Sequence, residues 1–156
     1  PIARAKVPAL LGPLETRPAN VETLGATLEN AARLQKAGVL LALATGGTHT
    51  ARNLTQAAGN AVANGLPWPA ALKALMLNPA TIYGMDRELG TLESGKKADV
   101  VIWSGDPLEL STTAGQVFIA GRKIPMVSRQ TKLRDRYLKA MQDKPALPVN
   151  YSSTTP

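Results

Sequence analysis

The chain has 156 residues, of which 44% are hydrophobic and 19% charged, a balance typical of an ordered globular protein. No apolar stretch approaches the roughly 20 residues that cross a bilayer, which predicts that the chain is not an integral membrane protein. The lack of cysteine excludes disulfides and thiolate metal ligands. The formal net charge is +7, but eight basic and only two acidic residues lie between positions 122 and 144, so the remainder is nearly neutral.

The first predicted element is a short apolar run at residues 7–11. Gly12-Pro13 closes it, which indicates a buried strand, or the remnant of one, followed by a turn. The chain starts at Pro1 with neither an initiator methionine nor a signal-peptide pattern. We therefore expect that sequence upstream of Pro1 has been removed or left out.

A helix of about four turns is predicted next, because apolar positions recur at helical spacing from Val21 onward. Asn20 is its predicted N-cap, and Gly38 is its predicted end. Residues 39–44 follow as a continuous apolar run, as expected for a parallel strand that is buried on both faces. A helix followed directly by a buried strand indicates an α/β fold.

A polar loop at residues 45–50 carries two glycines and leads into further helices. Thr50 is the predicted cap of a helix whose apolar face comprises Leu54, Ala57, Ala58, Ala61 and Val62. Pro69 suits the first turn of another helix, with Leu72, Leu75 and Met76 inside. Asn78-Pro79 starts a last short helical turn that ends at Gly84.

Beyond Gly84 the pattern changes to short strands separated by glycine turns, which predicts a small β-unit. The predicted strands are residues 90–92, 99–103, 116–120 and 123–124. A basic helix at residues 130–142 follows, with an apolar stripe of Leu133, Tyr137, Leu138 and Met141. Residues 145–156 form a polar, proline-containing tail without a core-forming pattern.

Four motifs in this order resemble the amidohydrolase superfamily, in the branch that contains imidazolonepropionase-like and prolidase-like enzymes. They are Ala51-Arg52-Asn53-Leu54, Asn78-Pro79-Ala80, the long signature at residues 90–103 (GTLESGKKADVVIW), and Gly105-Asp106-Pro107-Leu108. The resemblance implies an α/β fold that is the C-terminal portion of a (β/α)8 TIM-like barrel, plus a small β-sandwich segment and a C-terminal basic helix. The expected domains are residues 1–85 for the barrel part, 86–127 for the sandwich segment, and 128–156 for the helix and a flexible tail.

The same resemblance implies a metal-dependent hydrolase of C–N bonds in a cyclic amide or peptide-like substrate. Members of the family bind one or two divalent metal ions through a His-x-His pair and ligands from several strands, and the metal activates water. This chain has one histidine in total. We therefore expect it to be incomplete by itself, with the metal, zinc by preference, held in the intact parent and none on this chain alone.

Gly46 stands at or beside the position where the family usually has a carboxylate after its eighth strand. This departure leaves two interpretations open. The intact parent is a hydrolase that uses another base, or it is a non-catalytic binding or scaffold protein derived from a degenerate amidohydrolase.

The candidate site is the loop after the buried strand, since such barrels keep their specificity in loops at that end. His49 is the candidate catalytic residue, as an acid or base, or otherwise a loop histidine bonded to nearby backbone. The other candidates are substrate-binding residues: Thr45, Gly46, Gly47, Thr48 and Arg52. The two glycines present backbone N–H groups to an oxygen, or they form a tight turn that needs positive φ. Arg52 clamps a carboxylate, or it is an exposed or internally paired arginine.

Three residues of the long signature are interpreted as structural. Lys96 and Asp99 belong to a turn and to the start of a strand, and Trp103 belongs to the core of the β-sandwich. The expected partners are the N-terminal part of the same barrel, in the same or a companion chain, and a small amide or peptide-like substrate, with a homo-oligomer as a possibility. Neither nucleic acid nor a membrane is expected as a partner; the basic helix is expected to dock on the barrel or on a neighbouring subunit.

Overall fold

A computed structural model describes residues 2–12, 21 and 24–143, and these residues form a mixed α/β structure. The chain divides into two compact units, residues 1–123 and residues 124–156. In chain order the elements are β1 (Ala9–Leu11), α1 (Asn30–Lys36), β2 (Leu41–Leu43), a 3₁₀ helix (Thr48–Asn53), α2 (Leu54–Ala63), α3 (Trp68–Leu75), α4 (Leu77–Ile82), β3 (Val100–Trp103), β4 (Ala114–Ile119), β5 (Arg122–Ile124) and α5 (Arg129–Asp143).

Strands β1 and β2 form a two-stranded parallel sheet in which Ala9 pairs with Leu41 and Leu11 with Leu43. All three residues of β2 are buried, which confirms the buried strand expected from its continuous apolar sequence. The expectation of burial was wrong for the middle of β1, where Leu10 is 52% exposed. Within the described residues β1 is an edge strand, and therefore only one of its two edges is hydrogen-bonded in a sheet.

The core lies where α2 and α3 pack against β2. Five alanines, Ala31, Ala58, Ala61, Ala71 and Ala74, are completely buried in it, with Leu66 as the largest fully buried side chain. Small side chains at these positions let the helices and β2 approach one another closely.

The helix ends agree with the sequence in some places and not in others. Gly38 adopts a φ of +78° just after α1, and Pro69 occupies the first turn of α3, as predicted. Helix α1 is only seven residues long and begins at Asn30, so the predicted start near Val21 was wrong. The predicted cap, Asn20, lies outside the described residues.

The predicted cap at Thr50 was also wrong. A 3₁₀ helix occupies residues 48–53, and α2 begins only at Leu54, without a side-chain cap. The Thr50 hydroxyl donates instead to the carbonyl oxygen of Gly47, at 2.8 Å. The hydroxyl thus stabilises the preceding loop rather than the start of the helix.

A three-stranded sheet in the order β3-β4-β5 follows the helices, with β3 and β4 antiparallel. The strands predicted near residues 100, 117 and 123 are confirmed, and Ala120 and Gly121 adopt positive φ at the β4–β5 turn. Residues 90–92 do not form a strand. Gly90 has a φ of +95°, and a Cβ on it would lie 3.0 Å from the Ala80 Cβ atom, so packing against α4 determines this segment.

Helix α5 spans Arg129–Asp143, the region where the basic helix at residues 130–142 was predicted. Its start is fixed by a reciprocal cap: the Thr131 amide donates to the Ser128 hydroxyl at 3.1 Å, and the Ser128 amide donates to the Thr131 hydroxyl at 2.8 Å. Residues 145–156, expected to form a polar tail, lie outside the described residues. None of the described helices combines the length and the hydrophobicity needed to cross a membrane.

Candidate functional site

The loop after β2 contains most of the candidate residues. The chain leaves the buried strand at Leu43, passes through Thr45, Gly46 and Gly47, and enters the 3₁₀ helix at Thr48. Gly46, Thr48, His49 and Arg52 are exposed, whereas Thr45 and Gly47 are half-buried. The structure therefore brings the candidate residues together at the carboxyl end of one parallel strand.

The carbonyl oxygen of Gly47 holds this loop together. It accepts hydrogen bonds from the Thr45 hydroxyl at 3.2 Å, from the Thr50 hydroxyl at 2.8 Å and from the Thr50 amide at 3.1 Å. Thr45 and Thr50 thus have a structural role in addition to any contact with a ligand. A carbonyl with three donors is occupied, so the groups that this loop offers to a ligand are its N–H groups and its side chains.

The two glycines do not form a turn with positive φ. Gly47 has a φ of 172°, which is ordinary extended backbone. Gly46 does not adopt a positive φ either. The tight-turn interpretation of the pair was therefore wrong. A Cβ on Gly47 would lie 3.0 Å from Cε1 and 3.1 Å from Nδ1 of His49, so the glycine leaves room for the imidazole ring directly above it.

His49 is exposed, and its ring makes no hydrogen bond to another described residue. Within the described part of the chain, His49 is therefore not bonded to nearby backbone, as one of its two interpretations had expected. The residue is exposed, and one edge of its ring, with Cε1 and Nδ1, lies against Gly47. Its role as an acid or base stays a prediction.

Arg52 lies in the last turn of the 3₁₀ helix and is exposed. None of the ion pairs among residues 2–12, 21 and 24–143 involves it. Arg52 therefore forms no internal ion pair within these residues, which was one of the alternatives considered for it. Its role as a carboxylate clamp stays a prediction.

The described residues do not form a metal centre. No group of three His, Asp or Glu side chains that could hold an ion occurs in the described part of the chain. His49 is the only histidine of the sequence, and Gly46 brings no ligand atom. A centre with several ligands would need side chains from elsewhere.

Sequence reasoning missed the roles of two motif residues, Asn78 and Asp106. The Asn78 amide donates to the carbonyl oxygen of Leu41 at 2.6 Å and so ties α4 to β2. The Asp106 carboxylate accepts from the Trp68 indole N–H at 2.8 Å and from the Leu108 amide at 2.9 Å. The signal was present, since both residues belong to motifs quoted above, but Leu41 and Trp68 lie 37 and 38 residues away from them in the sequence.

The structural interpretation of Lys96 and Asp99 agrees with their contacts. Lys96 Nζ lies 2.5 Å from the Thr91 hydroxyl and 3.2 Å from the Glu93 carboxylate. The hydrogen bond and the positive charge of Lys96 hold the pKa of Glu93 below its ordinary value. Asp99 accepts from the Ala120 amide at 2.7 Å, next to the β4–β5 turn. Trp103 is half-buried.

A family model described as the amidohydrolase family matches residues 2–132 of the chain. The chain belongs to the amidohydrolase family. This match confirms the resemblance that the four motifs indicated. It covers every element from β1 to β5 but only the first turn of α5.

Curated relatives agree with the family. The chain is 42% identical over 57 residues to amidohydrolase tasK of Hapsidospora irregularis, covering 36% of this chain and 6% of that protein. It is 37% identical to the imidazolonepropionase of Maricaulis maris over 94 residues, which are 57% of this chain and 23% of that one. The imidazolonepropionase of Sphingopyxis alaskensis is also 37% identical, over 82 residues, covering 49% of this chain and 20% of the relative.

Solved structures agree with the fold. An amidohydrolase from Thermotoga maritima MSB8 superposes with a TM-score of 0.74 at 35% identity, over 80% of this chain and 33% of that chain. A second amidohydrolase gives a TM-score of 0.54 at 23% identity, over 67% and 27%. The chain thus has an α/β fold related to the TIM barrel, and it spans less than a quarter of the curated relatives and about a third of the Thermotoga protein.

Proposed function

We propose that this chain is the C-terminal portion of an amidohydrolase barrel with part of its β-sandwich, and that the intact protein hydrolyses C–N bonds in a cyclic amide or peptide-like substrate. The observation that carries the proposal is the family match over residues 2–132 together with the candidate loop at the carboxyl end of β2. Enzymes built on α/β barrels bind their substrates at this end of the strands. Two imidazolonepropionases among the relatives support a cyclic substrate.

Within this proposal the loop forms one wall of the substrate site. The exposed His49 ring donates or accepts a proton at a ring nitrogen, and Arg52 binds a carboxylate of the substrate through its planar guanidinium group. Thr45, Gly46, Gly47 and Thr48 line the wall. The exposed Gly46 lets a ligand approach the backbone closely, whereas the His49 ring occupies the space next to Gly47.

The metal of the family, a divalent ion and zinc by preference, finds no group of ligands among the described residues. Its ligands therefore come from the rest of the barrel, which relatives carry in the two thirds or more of their length that this chain does not cover. Two features support a partner of this kind. Strand β1 has an unpaired edge within the described residues, and Val101 and Ile102 of β3 are 40% and 54% exposed.

A second candidate function is a binding or scaffold protein without catalysis, favoured by Gly46 at the expected carboxylate position. The two functions differ in metal content and in turnover. A degenerate parent would bind amides without hydrolysing them, and it would contain less than one metal ion per barrel.

The deciding experiment is native mass spectrometry of the protein as isolated from its source, with metal analysis of the same sample. We expect the 16.4 kDa sequence to occur within, or together with, a larger polypeptide that brings a His-x-His pair and bound metal. A 16.4 kDa species as the only product, free of metal, would contradict the proposal. A complete barrel that lacks stoichiometric metal and amidase activity would favour the scaffold function.

The roles of the loop residues are tested in the assembled protein. His49→Gln should lower kcat by about a hundredfold or more, the usual contribution of a general acid or base. Arg52→Gln should raise KM roughly 10- to 100-fold for substrates that carry a carboxylate and leave kcat unchanged. Asn53→Ala, in the same exposed 3₁₀ helix, is the matched control and should change neither constant. Full activity of the His49→Gln variant would show that His49 does not act as an acid or base in the reaction.

A further inference from the structure

Helix α5 is not accounted for by the family fold. The family match ends at residue 132, whereas α5 continues to Asp143 and belongs to the second compact unit of the chain. Eleven of its 15 residues therefore lie beyond the region that the family model matches. A role for this helix has to be inferred from its own residues.

One side of α5 carries four large apolar side chains, with Gln130 and Arg134 among them. Leu133, Tyr137, Leu138 and Met141 recur at positions i, i+4, i+5 and i+8, which places them on one side of a helix. Tyr137 is 57% exposed, Leu138 50% and Met141 67%. Three large apolar side chains on adjacent turns of one helix form a surface that is stabilised when an apolar phase covers it.

A stripe of cations lies next to this apolar side. Arg129, Lys132, Arg136 and Lys139 recur at i, i+3, i+7 and i+10 and fall within about 80° of one another at 100° per residue. Among the residues whose side chains the structure describes, none of these four forms an ion pair, and the one ion pair of α5 joins Arg134 to Asp135 at 2.6 Å. We call these four residues the basic stripe.

We infer that α5 docks in the plane of an anionic lipid surface, with its apolar side among the acyl chains and the basic stripe against the phosphate and carboxylate headgroups. A helix with low mean hydropathy, a Lys/Arg-rich side and an adjoining apolar side is typical of this mode of binding. A lipid surface is favoured because it offers acyl chains and negative charge side by side. A nucleic acid would neutralise the basic stripe but leave Tyr137, Leu138 and Met141 in water.

The helix is also formed before it binds. Ser128 and Thr131 cap its first turn with two reciprocal hydrogen bonds, so docking does not depend on ordering this turn at the surface. Arg136 lies over the Tyr137 ring, 5.1 Å from its centroid, where the basic stripe meets the apolar side. This arrangement suits the interface between headgroups and acyl chains, where amphipathic aromatic side chains are favoured. The inference replaces the expectation of no membrane partner, and it does not depend on the proposed function.

The test is co-sedimentation of the full 156-residue chain, in the assembly in which it is isolated, with lipid vesicles. Vesicles of equal parts phosphatidylcholine and phosphatidylserine should bind it at least about tenfold more tightly than vesicles of phosphatidylcholine alone. Raising NaCl from about 0.1 M to about 1 M shortens the screening length from about 10 Å to about 3 Å and should remove most of this difference.

Paired variants separate the two contributions. Lys132→Gln with Arg136→Gln should weaken binding to the mixed vesicles roughly 30-fold, whereas the control pair Lys73→Gln with Arg87→Gln removes the same charge from exposed positions of the first unit and should have little effect. Leu138→Ser with Met141→Ser should also weaken binding, with far-UV circular dichroism unchanged. The inference would be overturned if the chain binds neutral and mixed vesicles equally well, or if it binds neither. It would also be overturned if the control pair weakens binding as much as Lys132→Gln with Arg136→Gln does, or if the serine pair binds fully.

Discussion

At the scale of single residues, Gly59 shows how closely the chain packs. A Cβ on this glycine would lie 2.3 Å from the carbonyl oxygen of Leu108, which is backbone and cannot move aside as a side chain can. Gly59 lies within α2, where an alanine would otherwise favour the helix by about 1 kcal/mol. The close contact therefore decides whether a substitution here raises or lowers the free energy of unfolding.

Gly59→Ala should lower the free energy of unfolding by about 1–3 kcal/mol, the usual result of overpacking a tight contact. Thermal and urea denaturation of the assembled protein measure it. Asn60→Ala, at the next and exposed position of α2, adds helix propensity without a contact and should be neutral or slightly stabilising. An equal gain in stability from both substitutions would show that the Leu108 loop moves freely.

Glu93 provides a prediction about pH. Its carboxylate is exposed, and the neighbouring Lys96 lowers its pKa in the folded chain below the ordinary value. A group whose pKa falls on folding stabilises the folded state above its unfolded pKa, and this contribution is lost as the pH falls through the folded pKa. Glu93→Gln should therefore lower Tm slightly near pH 7, and the difference should disappear as the pH falls through the lowered pKa of the folded carboxyl group. Scanning calorimetry of both proteins across this pH range measures the difference. A Tm difference that does not change with pH would exclude the ion pair as its cause.

At the scale of the elements, Asn78 connects α4 to β2 across 37 residues of sequence. Its amide is the donor for the carbonyl of Leu41, a residue that is only 2% exposed. Asn78→Asp keeps the shape but replaces this donor with an oxygen, so it should destabilise the protein by about 1–3 kcal/mol. Asn64→Asp is the control, because Asn64 donates to a carbonyl of its own exposed helix end. Denaturation curves of the two variants measure the free energy of unfolding. An equal loss of stability in both variants would contradict a special role for the contact between Asn78 and β2.

The elements that local sequence determines were predictable, and those set by tertiary contacts were not. The continuous apolar run of β2, Pro69 in the first turn of α3 and the periodicity of α5 depend on neighbours along the chain. The segment at residues 90–92 has the composition of a strand, but Gly90 packs against α4 with positive φ and no partner strand aligns with it. Threonine is a common helix cap, but the Thr50 hydroxyl donates a hydrogen bond to the Gly47 carbonyl instead.

The same division applies to the candidate site. Its location after β2 and its residue types were readable from the order of strand, glycine loop and helix. The position of the His49 ring above Gly47 was not, since it depends on the extended backbone of that glycine and on the turn into the 3₁₀ helix. Nor does an isolated sequence reveal that Asn78 and Asp106 serve contacts within the fold.

At the scale of the whole molecule, the exposed middle of β1 tests whether further strands cover this sheet. Leu10 is 52% exposed within this chain and would be buried if a barrel continues beyond β1. Leu10→Lys should then destabilise the assembled protein by about 2 kcal/mol or more, since an apolar contact is lost and a charge is buried. Leu110→Lys, at a residue that is 78% exposed, should change stability by less than about 0.5 kcal/mol. Thermal denaturation and native mass of the assembly report both effects. An unaffected Leu10→Lys protein would mean that β1 stays at an edge.

The hydrogen bonds that converge on the Gly47 carbonyl have a consequence for ligand affinity. All three donors belong to the loop itself, at Thr45 and Thr50, so these hydrogen bonds hold its shape from within. The conformational entropy of ordering this wall is lost when the chain folds, not when a ligand arrives. A ligand that meets the loop thus encounters a preorganised surface, and its association rate should be limited by diffusion and access rather than by rearrangement of this loop.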